Sequence, residues 1–309
     1  MVQEGLVSVL PPWPDLIVVA GATATGKSAF AEGLACERGG EILNADSQQF
    51  YRGFDIGTGK PPEAERRVPH WLYDACAPGE SMSAMEFVRR AEILIKELRA
   101  RGKLPVVVGG TGLYLKALLE GFDPLPGRDP ELRRRLEIEF QREGGEALRE
   151  RLRKIDPASA AWIPAGDRSR LIRYLEIGEL TGRAPSEQMR RSRPERLRFR
   201  TETFWLRKER ETLRKKIAAR VEAMLQAGWL EEVRNLLAAG VDPRKLENRP
   251  IGYSELAEVV LGKRKLEEAA AEIILRTQQY AKRQETFFRA MFAHAAYREQ
   301  GSELNLIVA

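Results

Sequence analysis

The chain is poor in the residues that build most metal and redox sites. It holds two cysteines, Cys36 and Cys76, and two histidines, His70 and His294. No pair of these has zinc-ligand spacing, so no zinc site is expected and both thiols read as reduced, structural side chains. No apolar run approaches the ~20 residues of a membrane span. No cluster of positive charge precedes an N-terminal apolar segment, so a cytoplasmic protein without membrane contact is expected. Internal repeats and low-complexity segments are missing as well, which leaves a globular protein to explain.

The 309 residues suggest about two domains, and 43% hydrophobic with 31% charged residues allow a sizeable core. The formal net charge is +6. Part of that excess is crowded into Arg190, Arg191, Arg193, Arg196, Arg198 and Arg200. A charge run is ordinarily a solvated face, but its contrast with the near-neutral N-terminal stretch points to a polyanionic partner.

Along the chain, a Pro-rich lead-in (Pro11-Pro12-Trp13-Pro14) precedes an apolar strand over residues 15–20. A Gly-rich turn, a helix over Ser28–Arg38 and a strand over Glu41–Ala45 follow. Helical spacing over residues 83–101, a strand at Leu104–Val108 and a helix from about Leu113 complete an alternation of strand and helix. That pattern predicts a parallel sheet covered by helices. Phe122-Asp123-Pro124-Leu125-Pro126-Gly127 reads as a linker, and helices rich in Arg and Glu follow it. An alternating stretch around Phe199–Leu206 returns to the sheet. Long helical patterns run over Glu209–Ala238 and Leu266–Arg298, and Leu304–Val308 suits an edge strand. The expectation is an α/β fold, a P-loop NTPase-like parallel core of residues 1–120 plus 205–309, interrupted by a helical, Arg-rich insert of residues 121–204.

Gly21-Ala22-Thr23-Ala24-Thr25-Gly26-Lys27-Ser28 fits G-x-x-x-x-G-K-[ST] between a strand and a helix, the context this phosphate loop needs. Its backbone N–H groups and the helix N-terminus favour an anion, Lys27 adds a movable positive charge, and the Ser28 hydroxyl suits Mg2+. The motif specifies phosphates, of a nucleotide or of a diphosphate, and not ATP in particular. P-loop nucleotidases also end an apolar strand in a magnesium-binding Asp. Here the strand Leu104–Val108 ends in Gly109-Gly110-Thr111, and the acid follows the second strand instead, as Asp46. There is no Asn-Lys-x-Asp motif, which argues against a GTP switch. The carboxyl ends of parallel strands line the ligand crevice, so Asp46, Thr111 and the phosphate loop belong to one edge. Asp46 there is a general base or acceptor-binding group, a helix cap, or a metal ligand.

The run from Asn44-Ala45-Asp46-Ser47-Gln48-Gln49 to Gly57-Thr58-Gly59-Lys60, with the phosphate loop and Val108-Gly109-Gly110-Thr111-Gly112-Leu113-Tyr114, resembles the tRNA dimethylallyltransferase (isopentenyl-tRNA transferase) family. Ser169-Arg170-Leu171-Ile172-Arg173, Asn248-Arg249-Pro250-Ile251-Gly252-Tyr253 and Gln279-Tyr280-Ala281-Lys282-Arg283-Gln284 extend the resemblance over about residues 15–295. It implies transfer of a dimethylallyl group from dimethylallyl diphosphate, held on the phosphate loop with Mg2+, to N6 of an adenine beside the tRNA anticodon. By the same resemblance Asp46 accepts the amine proton, Thr111 helps position the site, and Lys27 and Arg220 bind diphosphate. RNA contacts are implied at Asp46–Gln49, Thr111, Arg133, Ser169–Arg173, Arg249–Ser254, Lys282, Arg283, Gln284 and Arg289. On a helix Lys282, Arg283 and Arg289 cannot share one face, so some of them are structural. Phe287 and Phe288 read as core.

The family commonly has Pro at Ala22 and Thr at Ser28; either change keeps backbone donors and one hydroxyl. No C-terminal Cys/His zinc-finger extension of the eukaryotic kind is present, so the bacterial, monomeric form is expected. Two rivals remain open: a P-loop kinase of a small molecule or nucleoside, which would consume ATP without RNA, and a non-enzymatic RNA-binding nucleotide switch.

Overall fold

The computed structural model describes residues 14–80, 82–121, 125–190, 196–246, 249–298 and 303–308. Pro11-Pro12-Trp13, Phe122-Asp123-Pro124, Arg191, Arg193 and Asn248 lie outside the described residues, as do the side chains of Met189 and Arg190.

The chain opens with β1 (Leu16–Gly21), α1 (Lys27–Arg38), β2 (Gly40–Asn44) and β3 (His70–Trp71). Then come α2 (Ala84–Ala100), β4 (Leu104–Gly109) and α3 (Gly112–Glu120). Four further helices follow: α4 (Pro130–Ile155), α5 (Pro157–Trp162), α6 (Arg168–Thr181) and α7 (Pro185–Arg190). The chain returns through β5 (Thr201–Arg207), α8 (Arg210–Gln226), α9 (Trp229–Ala238), α10 (Tyr253–Val260), α11 (Leu266–Phe292) and β6 (Glu303–Val308). The six strands form one sheet in the order β3-β2-β4-β1-β5-β6, every neighbouring pair parallel.

β1 sits between β4 and β5, with Val18 beside Val107 and Val19 beside Phe204. Covered on both faces, it reads as an unbroken apolar run instead of an alternation. The two-residue period still sorts its side chains. Leu16, Val18 and Ala20 join the large core that includes α2, α3 and α11, while Ile17 and Val19 pack with Ala31 and Ala35 of α1.

The chain divides into two compact units, residues up to Leu119 with those from Arg196 onward, and Glu120–Glu195. The expected insert of residues 121–204 therefore ends too late. Arg198 N–H already donates to Leu119 O and β5 begins at Thr201, because the alternating stretch is a sheet strand. The second unit has its own core of Leu136, Leu148, Leu152, Leu171, Ile172 and Leu175. Two other expectations also shift. The helical pattern over Glu209–Ala238 is split between α8 and α9 at Gly228, whose φ of 99° breaks the helix. β3, two residues long, has too little pattern to be read in advance.

Candidate active site

In the sheet unit, the phosphate loop, Asp46 and Thr111 follow β1, β2 and β4, and in the sheet those strands lie in the order β2-β4-β1. The sheet order thus brings three loops that are distant in sequence to one edge. The loop is braced from within: Thr25 Oγ1 donates to Ala22 O (2.8 Å), and Ala22 is buried against Ile217 and Ala281. Ala24 (φ 62°) and Gly26 (φ 93°) take the left-handed turn that leads into α1. Ser28 is exposed at the first turn.

Two cavities meet here. One, about 240 Å3, is lined by Thr23, Ala24, Gly26, Lys27, Ser28 and Gln49, among others. The other, about 360 Å3, is lined by Ser47, Gln48, Trp229, Arg249, Tyr280 and Arg283, among others. Thr23, Asp46, Thr58 and Arg220 line both. Asp46 therefore stands on the wall between the chamber of the Gly-rich loop and a second, basic chamber. Its Oδ1 accepts Gln48 N–H (3.1 Å), and its own N–H donates to Asn44 Oδ1 (2.9 Å), which fixes the turn without spending the second carboxylate oxygen.

The charges around the shared wall are not neutralised by contact. Among the described residues, neither Lys27 nor Arg220 forms an ion pair. Burial lowers the Lys27 pKa; Asp46 opposes that and Arg220 adds to it. Burial also lowers Arg220, with Asp46 again opposing. Arg220 lies flat on Gly59, where a Cβ would come 1.8 Å from Nη2. The Gly57–Gly59 loop is held by Lys60, whose Nζ reaches Tyr51 O, Asp55 and Asp74.

Several residues implied as RNA contacts have other work. Gln49 Nε2 donates to Thr58 O (3.0 Å) and Gly59 O (3.1 Å), so its amide braces the loop. Thr111 accepts Ser47 N–H (2.9 Å) and lies behind Ser47; it lines neither cavity. Tyr253 is buried, with its hydroxyl donating to Glu232 (2.5 Å). Gly252 is pressed on the Trp229 indole, and Ser254 Oγ faces Pro243 O. Pro250 and Ile251 do line the basic cavity with Arg249. Gln284 is buried and bonded to backbone on both sides. On α11, Arg283 faces the Asp46 cavity, whereas Lys282 and Arg289 line a different groove with Arg210 and Arg214 of α8. Phe288 is core, but Phe287 is 37% exposed and rests on Gly112.

In the second unit, other residues of the same list are engaged within the protein. Leu171 and Ile172 are in its core and present no side chain to a ligand. Arg133 and Arg173 both pair with the buried Glu176, at 3.2 and 2.7 Å. Arg170 pairs with Asp167 and lies over the exposed Trp162 ring; Ser169 is exposed. Of the 190–200 arginine cluster, Arg198 and Arg200 belong to the sheet unit and pair with Glu92 and Asp15. Sequence reasoning missed Thr58, Trp229, Arg276 and Tyr280 as cavity walls. The blocks Gly57-Thr58-Gly59-Lys60 and Gln279–Gln284 were usable signals for Thr58 and Tyr280; nothing local marks Trp229 or Arg276.

The end of β4 weighs against the kinase reading. A Cβ at Gly109 would lie 2.3 Å from Ala45 O, so the place of a magnesium-binding acid is sterically closed.

The IPP transferase family model matches residues 49–291. The chain belongs to this family. It is 47% identical over 277 residues to a tRNA dimethylallyltransferase of Anaeromyxobacter dehalogenans, covering 89% of this chain and 91% of that one. A tRNA dimethylallyltransferase of Geobacter sulfurreducens is 43% identical over 280 residues, with 89% and 88% covered. Among solved structures, a tRNA isopentenylpyrophosphate transferase of Bacillus halodurans superposes with TM-score 0.65 at 36% identity, covering 95% and 89%. A eukaryotic dimethylallyltransferase acting on tRNA gives TM-score 0.77 at 30% identity, covering 95% and 73%. No helix among the described residues is long and apolar enough to cross a membrane.

Proposed function

We propose that this tRNA prenyltransferase takes dimethylallyl diphosphate as donor and N6 of an adenine adjacent to the anticodon as acceptor. The observation that carries this reading is the shared wall: Asp46 and Arg220 face both the phosphate-loop cavity and the basic cavity beside it. In this reading the diphosphate lies on the loop against Lys27, and the base enters from the side of Gln48, Arg249 and Arg283. An adenine inside the anticodon stack cannot reach such a cavity, so it must be extruded. Gln48 Oε1 is a buried acceptor without a partner among the described residues, suited to a base N–H.

The bond that breaks joins the prenyl C1 to a diphosphate oxygen. The bond that forms joins C1 to N6, and the N6 proton passes to the Asp46 carboxylate. The amine is a weak nucleophile because its lone pair is delocalised into the ring, so removal of its proton matters. Lys27, Arg220 and the loop N–H groups take up the charge that builds on the leaving diphosphate.

A magnesium ion suits these residues. Ser28 and Asp46 offer hard oxygen ligands on one cavity wall. Among the described residues no group of three or more His, Cys, Asp and Glu forms a protein cage. Mg2+ generally keeps waters and takes phosphate oxygens. When bound it would neutralise diphosphate charge.

The test is direct. Incubation with dimethylallyl diphosphate, Mg2+ and tRNA carrying adenine beside the anticodon, then digestion to nucleosides, is expected to yield N6-dimethylallyladenosine. Folded protein that leaves the tRNA unmodified overturns the proposal.

A further inference from the structure

Gln284 sits one helical turn after Tyr280 on α11, so the two side chains share a face. Gln284 is 5% exposed. Its Oε1 accepts Thr23 N–H of the phosphate loop (2.9 Å), and its Nε2 donates to Gly110 O at the end of β4 (2.9 Å). One amide thus satisfies two backbone groups from loops that follow different strands. Gly110 makes room for it: a Cβ there would lie 2.3 Å from Gln284 Nε2. Tyr280 lines the basic cavity with Asp46, and its hydroxyl approaches Thr111 and Gln284. Burial, and then Asp46, keep that phenol protonated far above its ordinary range. The turn Tyr280–Gln284 therefore meets the donor loop, the β4 end and Thr111, and borders the acceptor cavity at Tyr280.

We propose that Gln284 is a positioning residue for the transfer, locking the phosphate loop to the end of β4, and that Tyr280 extends this lock to Thr111. The proposal rests on the reading of the loop as the donor site. It replaces an RNA contact for Gln284 with an internal strut. Thr23 N–H is spent on the protein, so the height of the loop over Asp46 depends on this amide. Hydrocarbon in its place would leave a half-buried donor and a buried acceptor unpaired, and the loop would drift to satisfy them.

The experiment compares Gln284→Met, Gly110→Ala and Tyr280→Phe with the parent enzyme. Gln284→Met keeps length and loses both hydrogen bonds. Gly110→Ala keeps the amide and displaces it. Misplacement by about 1 Å can cost on the order of 100-fold, so kcat is expected to fall about 30- to 100-fold in the first two and about tenfold in Tyr280→Phe. tRNA affinity should stay within about threefold, since none of the three removes a cation from the RNA side. Inorganic diphosphate, titrated by calorimetry without tRNA, should bind the first two variants about five- to tenfold more weakly.

Unchanged kcat in Gln284→Met with only a lower melting temperature makes the residue merely structural and overturns the proposal. Weakened tRNA binding with full kcat at saturating tRNA restores the RNA-contact role and overturns it equally. Should Gln284→Met fail to fold, Gly110→Ala carries the same decision. Failure of the donor reading would show separately, as parent enzyme that forms no prenylated nucleoside; the diphosphate titration still tests the strut.

Discussion

In the second unit Arg133 and Arg173 converge on Glu176, and Arg151 lies between Glu139 and Glu179. Arg135, Arg149, Arg153, Arg168 and Arg170 also have carboxylates beside them. At the sheet edge the arrangement is reversed. Lys27 and Arg220 flank Asp46 across open cavity, with no ion pair among the described residues. The unit richer in arginine spends much of its charge on itself, and the two half-buried cations of the site keep theirs unspent. Arginine density is therefore a poor guide to where an anion binds. Unpaired cations lining a cavity are a better one, because their desolvation is recovered only when a ligand arrives.

Breaking the unpaired group should have the largest effect. Asp46→Ala is expected to lower the single-turnover rate of prenylation about 1,000-fold, within the usual span for a general base. Filter binding should find tRNA affinity within about threefold of the parent. Equal losses of rate and affinity would make Asp46 a binding group and remove it from the chemistry. Arg220→Gln comes next, with kcat about 100-fold lower, the scale of one charge-stabilising donor. Its folded state should survive, since no carboxylate loses a partner. A melting temperature that drops along with the rate would class Arg220 with the paired arginines of the other unit.

The same contrast explains what the sequence could and could not reveal. The phosphate loop is legible because its chemistry is contiguous and its strand and helix flank it directly. Asp46 and Thr111 are legible as strand ends, although Thr111 turns out to buttress Ser47 and not to face a cavity. The parallel order of strands follows from the alternation of elements. Arg133 and Arg173 are illegible because a residue on α6 decides their role: a buried Glu176 turns two basic side chains into structural ties. Gln284 is hidden for the same reason, since its partners lie in two remote loops. The split of Lys282 and Arg289 from Arg283 was readable in part, as helix geometry forbids one common face.

Glu176→Gln sharpens the comparison from the other unit. It leaves Arg133 and Arg173 without their buried carboxylate, and unpaired buried charge is strongly destabilising. Both arginines keep 21–27% exposure, which allows water to screen them, so a loss of about 2 kcal/mol is expected rather than the full cost of a buried pair. Urea unfolding measures it. A change below about 0.5 kcal/mol would show that the pairs are surface ornaments, and the division between spent and unspent charge would fail.

The smallest effect concerns protons on Lys27. Its pKa in the fold is lowered, by burial first and Arg220 after it, against partial opposition from Asp46. Between that lowered value and the ordinary 10.5, the unfolded chain holds a proton that the folded chain has lost. Raising pH through this window therefore stabilises the empty fold. Ligand binding has the opposite sign. A diphosphate needs the ammonium, so its affinity should weaken as pH rises through the lowered pKa, by at most about tenfold per pH unit. Calorimetry from about pH 7 to about pH 10 with inorganic diphosphate reads this. Lys27→Arg, measured alongside, keeps its charge throughout and subtracts the ligand's own ionisation. If parent and variant follow the same curve to the alkaline end, Lys27 is held charged in the empty loop, and burial at this site does not leave the cation unspent.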